Sequence, residues 1–356
     1  MNCINNHDKE KRLNRDMSIV VEGILSSMRT NPEAIYLCGG YGRNEGAWII
    51  RNNEIEPYND YDIAVFSEEK LNYNNLQILR KSLAKRIGIH WVDIDFYNSK
   101  DLDCFKPIIH NYDLKYASRL IYGKDVVSTL KDIDQSQIGE YDIIKLYKTR
   151  MWTFLGSFTG DFHDLTIAEA VFFKNQMAKA ILAACDMILV SNRKYEYSYQ
   201  QKAKIASCIT TNIKFKTYAE WAYLEKTQPK LNTLSEQEMV KMYFDVKDIF
   251  VNSLRFALKR KAEMYLNPEL LRRTTLYRSK FLLACIYSFF KYKSFKHYKS
   301  FMIFLAQTYV FTANEHGQIK QEYILKADKI LKKYGFPSHH EWTELHTLVA
   351  EARNNI

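Results

Sequence analysis

Three short stretches hold the residues best suited to chemistry. Gly39-Gly40-Tyr41-Gly42-Arg43-Asn44-Glu45-Gly46 comes first, Asn59-Asp60-Tyr61-Asp62-Ile63 follows, and Trp91-Val92-Asp93-Ile94-Asp95-Phe96 completes the set. Side chains two apart on a strand project to one face, which pairs Asp60 with Asp62 and Asp93 with Asp95. Four acids on neighbouring strands repel one another unless cations sit among them. Mg2+ prefers carboxylate oxygens and keeps several waters, so two or three Asp suffice. Two such ions, roughly 3.5–4 Å apart, can steady both the attacking and the leaving oxygen of a phosphoryl displacement. Upstream, Gly39 and Gly40 permit close backbone approach, and amides of a helix starting there can bind terminal phosphates. Arg43 is positioned to add a charge-assisted contact. Each piece alone also has a plain reading: a solvated Asp-x-Asp turn, a glycine turn, the exposed face of an edge strand. Their order along the chain makes the combination specific.

Positioning these residues requires a small sheet. Residues 17–28 show helical apolar spacing (Ile19, Val20, Ile24, Leu25, Met28), stopped by Asn31-Pro32. Ala34–Cys38 reads as a strand ending at the glycine pair, and Ala47–Ile55 as a hairpin around Asn52-Asn53. Asp60–Phe66 and Ile89–Tyr97 alternate as half-buried strands, with an amphipathic helix over Leu71–Ile87 between them. From about Ile138 the pattern turns helical, with helices expected near 140–158, 164–190, 198–211, 217–227, 235–266, 269–292, 295–314, 318–334 and 338–353. Asp164, Thr166 and Ser338 are candidate N-caps. The break falls within Gly123–Gln135. The expectation is an α+β chain: a small mixed-sheet domain over 1–130, then a larger all-α domain over 131–356.

At 356 residues the chain can bury two cores. Its net charge of +10 is uneven: residues 1–125 carry 17 Lys+Arg against 18 Asp+Glu, and the remainder 34 against 23. A basic helical half suits a polyanionic acceptor such as RNA, or a triphosphate tail; lysines that merely solubilise long helices are the plain alternative. Six scattered cysteines (Cys3, Cys38, Cys104, Cys185, Cys208, Cys285), with no Cys-x-x-Cys, read as small core residues in a reducing compartment. The polar N-terminus lacks a signal-peptide core. The longest apolar runs, Phe281–Phe290 and Phe301–Ala313, are too short to span a bilayer. A soluble cytoplasmic protein with neither membrane nor DNA as partner is expected.

The run Gly39-Gly40-Tyr41-Gly42-Arg43-x-Glu45, then Pro57-Tyr58-Asn59-Asp60-x-Asp62, resembles the polymerase-β-type nucleotidyltransferase superfamily, and within it the catalytic domain of bacterial PII uridylyltransferases. Arg119-Leu120-Ile121-Tyr122-Gly123-Lys124-Asp125 is similar to the element ending that domain in minimal and antibiotic-modifying members. The resemblance covers about residues 34–127. It implies Asp60 and Asp62 as metal ligands, with Asp93 or Asp95 as the third carboxylate aligning an acceptor hydroxyl. It also implies Gly39, Gly40 and Arg43 at the nucleotide. Two Mg2+ (or Mn2+) and an NTP donor would accompany transfer of a nucleoside monophosphate to a hydroxyl of a small molecule, protein or RNA, with release of pyrophosphate. Asp95 fits the family's strand-exit spacing slightly better, while Asp93 sits deeper in the strand. Gly40 and Asp60 are 20 positions apart, beyond the family's usual spacer, because the hairpin intervenes. Nothing resembles the regulatory domains of the PII-modifying enzymes.

More loosely, Lys174-Asn175-Gln176-Met177-Ala178-Lys179-Ala180, Asp186-Met187-Ile188-Leu189, Tyr195 and Ser198-Tyr199 resemble the substrate domains of small bacterial nucleotidyltransferases. In those a lysine from the first helices reaches the triphosphate, which implies Lys179, or else Lys174; a solvated lysine is the plain alternative. Tyr195, Tyr197 and Tyr199 either stack a ring or pack between helices. His90, His163, His339 and His340 have no partner pattern and receive no role. Two other classes stay open: a non-catalytic nucleotide-binding or antitoxin-like protein, and a metal-dependent glycosyltransferase using Asp-x-Asp, which the upstream glycine pair disfavours.

Overall fold

Period-two alternation in the first third and long apolar stripes afterwards give an α+β chain, a small mixed sheet followed by a larger helical region. The computed structural model describes residues 5–51, 54–98, 105–157, 165–276, 279–292 and 296–354. Asn52-Asn53, His163, Asp164, Cys3 and Cys104 lie outside them. Two compact units result. The first comprises Met1–Gly139, Arg193–Ile205 and Tyr223–Lys230; the second comprises Glu140–Asn192, Ala206–Ala222 and Leu231–Ile356.

The first unit begins with α1 (Asn6–Ser27), β1 (Ala34–Cys38), α2 (Gly39–Gly42), β2 (Trp48–Arg51), β3 (Glu54–Pro57) and β4 (Tyr61–Phe66). It continues with α3 (Tyr73–Ile87), β5 (Val92–Tyr97), α4 (Ile109–Ala117) and β6 (Arg119–Gly123). The sheet order is β5-β4-β1-β6; β1 runs antiparallel to both neighbours and β4 parallel to β5. β2 and β3 pair apart from it as the expected hairpin, from Trp48 opposite Pro57 to Arg51 opposite Glu54. On the lower face Leu37, Tyr61, Ile63, Val65, Val92 and Ile94 pack with Val20 and Ile24 of α1 and Leu79 and Leu83 of α3. On the upper face a smaller core of Tyr36, Ala64, Phe66, Leu114 and Val127 covers only one end.

α1 starts eleven positions before the expected residue 17, capped by the Asn5 side chain, which accepts from the His7 amide at 3.1 Å. Its first turns hold few apolar residues, so no stripe marks them. They are anchored by polar bonds instead: Arg12 donates to the Ile55 and Ile87 carbonyls at 2.9 and 2.7 Å, and buried Asp16 accepts from Arg12 at 2.8 Å and from the Tyr61 hydroxyl at 3.0 Å.

The helical region runs α5 (Glu140–Ser157), α6 (Ile167–Ser191), α7 (Tyr199–Ile209), α8 (Ile213–Thr227), α9 (Glu236–Leu258) and α10 (Glu263–Leu266). There follow α11 (Pro268–Leu276), α12 (Ser279–Tyr292), α13 (Lys296–Ala313), a hairpin of β7 (Asn314–Glu315) and β8 (Gln318–Ile319), α14 (Gln321–Lys333) and α15 (Trp342–Asn354). Thr166 caps α6 in a reciprocal capping box with Glu169, and Ser235 with Glu238 does the same for α9. Three expectations fail here. The helix expected over 235–266 breaks after Leu258, where Lys259 takes φ 51°, and that expected from 318 begins only after a turn with His316 at φ 52° and Gly317 at φ 87°. Ser338 caps nothing; its hydroxyl donates to Asp328 at 3.0 Å, and α15 starts four residues later. α6 packs against α5 and α9 as the most buried helix. Among the described residues no helix is long and apolar enough to cross a membrane.

Candidate active site

Alternation along β4 and β5 sorts the motif residues by face. Tyr61, Ile63, Val92 and Ile94 point into the lower core, so Asp62, Asp93 and Asp95 emerge on the upper face, all exposed. Register brings them together: Asp62 stands across from Asp93, Ala64 from Asp95, and on the other side Cys38 from Asp62. The three acids line one cavity of about 290 Å³ with Gly39 and Arg43, and α4 adds His110 and Asp113 to its wall. This is the end of the upper face that the small core leaves bare.

Gly39 is required here. It takes φ +61°, and a Cβ would lie 1.9 Å from Asp62 Oδ2. Backbone thus presses directly on the carboxylate, which no side chain would permit. Gly40 has ordinary surroundings; its carbonyl accepts from the Glu45 amide at 2.8 Å and it does not line the cavity. The helix that follows, α2, is a single turn, far shorter than the phosphate-binding helix the sequence suggested.

Asp93 and Asp95 differ in their engagements. Asp93 is held by the Arg80 guanidinium at 3.3 Å and accepts from Trp91 Nε1 at 3.3 Å. Asp95 makes no hydrogen bond or ion pair among the described residues. The local field is negative: burial first, then the charges of Asp62, Asp95 and Asp113, push the Cys38 thiol well above its ordinary range, leaving it protonated and inert. Burial and then Asp95 likewise raise the Tyr97 hydroxyl. Tyr97 shares a hydrogen bond with His110 Nε2 and stacks between Phe66 and His110, at centroid distances of 5.2 and 5.9 Å. Among the described residues no three His, Cys, Asp or Glu side chains converge tightly enough to hold an ion by themselves.

Asp60 sits half-buried one residue before β4 and outside the cavity wall. Its neighbour Asn59 is pinned: the side-chain oxygen accepts from Lys226 at 3.1 Å and the amide donates to the Tyr41 hydroxyl at 3.3 Å. Alternation still gives Asp60 the face of Asp62.

Arg43 borders the cavity but is spoken for. Its nearly buried guanidinium lies 3.1 Å from Glu45 and 3.8 Å from Asp113, over the Tyr199 ring at 4.2 Å. Burial works against its charge, but Tyr199, Asp113 and Glu45 outweigh it and hold the arginine above its usual value. Glu45 in turn takes the N-terminus of α7, accepting from Ser198 Oγ at 2.7 Å and the Tyr199 amide at 2.8 Å. Tyr195, fully buried, donates to Asp113 at 2.8 Å and accepts from buried Lys202 at 3.0 Å. Tyr195 and Tyr199 are therefore packing groups, not a free stacking surface.

Neither lysine named from sequence stands in this unit. Lys179 is half-buried on α6, and Lys174, also on α6, is buried and donates to Asn232 at 2.9 Å. Among the described residues, the buried lysines of the first unit are Lys202 and Lys226, which nothing in their sequence context marks. For His110 and Asp113, the sequence signal is their i, i+3 spacing on one helix face. No protein-family model matches the chain, and no curated protein matches it.

Proposed function

We propose that the acid-lined cavity of the first unit catalyses nucleotidyl transfer, moving a nucleoside monophosphate from an NTP to an acceptor hydroxyl and releasing pyrophosphate. The observation that carries this reading is the fit of Gly39 against Asp62, at the floor of a cavity shared with Asp93 and Asp95. A carboxylate approached that closely by bare backbone leaves room for a polyphosphate above it, and the exposed acids have oxygen donors of the kind Mg2+ prefers. Asp62 and Asp95, with oxygens of the NTP completing the donor set, would hold Mg2+ or Mn2+, which when bound neutralises triphosphate charge.

The roles of the chain's own groups follow. Asp95, free of ion pairs, accepts the proton of the acceptor hydroxyl as its oxygen bonds to the α-phosphorus and the bond to pyrophosphate breaks. Asp93, restrained by Arg80 and Trp91, keeps the edge strand and its acids in register. Arg43 supports the wall through Glu45 and Asp113 and is not the phosphate contact. The acceptor is a small molecule, a protein or an RNA end.

Pyrophosphate release measured with each of the four NTPs and Mg2+, across candidate acceptors, tests the proposal. Turnover that Asp62→Asn abolishes supports it. Turnover undiminished in Asp62→Asn contradicts it; NTP binding without turnover favours the non-catalytic class, and nucleotide-sugar turnover without pyrophosphate favours a glycosyltransferase.

A further inference from the structure

The helix α12 is inside out. Its inward stripe consists of Phe281, Ala284, Cys285 and Ser288, of which Cys285 and Ser288 are buried. Its outward side carries Leu282, Leu283, Ile286, Tyr287, Phe289 and Phe290, with Leu283 63% and Phe290 69% exposed. At 3.6 residues per turn these six fill one continuous arc of roughly 160°. The inward stripe faces α11 and α13, and its contacts include the edge-on pair of Phe281 and Phe301, at 5.1 Å between centroids. Ordinary amphipathic helices do the reverse, and an apolar surface of this extent marks an interaction site.

Charge identifies the partner. Residues 270–314 contain no Asp or Glu and eight Lys or Arg: Arg272, Arg273, Arg278, Lys280, Lys291, Lys293, Lys296 and Lys299. That segment alone accounts for most of the chain's +10. Lys280 and Lys291 are exposed and border the apolar arc, and Lys291 lies over the Tyr287 ring at 5.3 Å. At the foot of the helix, Lys148, Lys296 and His297 line a cleft of about 580 Å³ beside Phe281.

We infer that α12 lies flat on an anionic lipid bilayer, its aliphatic and aromatic side chains in the acyl boundary and its lysines at the phosphate headgroups. An apolar face rimmed by cations is the composition that binds such interfaces. A second copy fits worse, because a two-fold contact through α12 would bring two cation-rich, acid-free segments together. RNA fits worse too, since Leu282, Leu283 and Ile286 have no π-face on which a base could stack. Lying on a membrane asks nothing of span length, so the shortness of α12 is no obstacle. The inference is independent of the chemistry at the acid-lined cavity.

Co-sedimentation of the full chain with vesicles of phosphatidylcholine alone, or mixed with phosphatidylglycerol, tests it. Binding is expected only to the phosphatidylglycerol vesicles and should weaken as salt rises. The double substitutions Leu282→Glu with Phe290→Glu, and Lys280→Glu with Lys291→Glu, should each weaken binding on the order of tenfold or more. Because all four side chains are exposed, melting temperatures should stay near wild type, separating lost binding from lost fold. No partition onto phosphatidylglycerol vesicles, equal partition onto both kinds, or binding unchanged in both variants overturns the inference. So does a dimer in light scattering that Leu282→Glu with Phe290→Glu dissociates, or RNA binding that the same variant abolishes in place of vesicle binding.

Discussion

The two units depart from ordinary burial in opposite directions. In the first, half of a sheet face that could have held a second core carries Asp62, Asp93 and Asp95 instead. In the second, a helix exposes its Leu, Ile and Phe and turns Cys285 and Ser288 inward. Neither arrangement follows from apolar burial alone. In-register acids repel, and exposed apolar side chains forgo the roughly 1.5–3 kcal/mol that burying each would contribute. Stability in both units comes from elsewhere: the lower-face core and the Arg12–Asp16–Tyr61 bonds in one, the buried helix α6 in the other. Features that cost stability and persist are the places to look for function.

The sharpest way to break this contrast is to remove the acids one at a time. Asp62→Asn and Asp95→Asn should each lower kcat/KM for pyrophosphate release on the order of a thousandfold, about 4 kcal/mol. Asp93→Asn should cost about tenfold, since Arg80 and Trp91 already engage that side chain. Asp62→Asn should leave the melting temperature near wild type, as the exposure of that side chain implies. A large loss of stability would mean the acid is structural.

A buried charge in the second unit gives the opposite behaviour. Lys247 on α9 donates to the Phe311 and Asn314 carbonyls at the end of α13, and burial lowers its pKa to about 8, against the opposing pull of Glu315 and Asp248. The unfolded chain keeps that proton up to about 10.5, so between about pH 8 and 10.5 it binds more protons than the folded one, and stability rises with pH. Relative to Lys247→Met, the wild type should gain about 3 kcal/mol across that window in denaturant titrations. A pH-independent difference would refute it.

Smaller effects sharpen the picture of the cavity wall. Glu45→Ala strips Arg43 of its nearest carboxylate and α7 of its cap, and should cost about 2–3 kcal/mol by chemical denaturation. Gly39→Ala should cost about 1–2 kcal/mol from its left-handed backbone, and should lower activity more than stability, because the added methyl meets Asp62.

Much of the first unit was legible from sequence because local rules govern it. Alternation gave β4 and β5, the glycine pair gave the end of β1 and the start of a helix, and i, i+2 spacing gave the shared face of the acids. What was not legible depends on distant partners. No local signal ties Glu45 to Ser198, or Asn59 to Lys226, across more than 150 positions. α4 is nine residues long and buries only Leu114 and Ala117, too thin a stripe to read, so His110 and Asp113 went unnoticed. Buried Lys202 and Lys226 look in sequence like any solvated lysine. Of the described cysteines, Cys185 and Cys285 are buried as expected, but Cys208 is exposed. The apolar run of α12 was visible too; which of its sides faces outward was not, because the residues are apolar nearly all round and the choice depends on packing against α11 and α13.

The central claim is that the upper-face acids grip a divalent cation beneath a polyphosphate. Titration of Mn2+ into the protein with a non-hydrolysable NTP, followed by electron paramagnetic resonance, tests it most directly. Saturable, nucleotide-dependent binding is predicted in the wild type and in Asp93→Asn, and its loss in Asp62→Asn with Asp95→Asn. Mn2+ binding of equal strength in that double variant, or none in the wild type, would contradict the account.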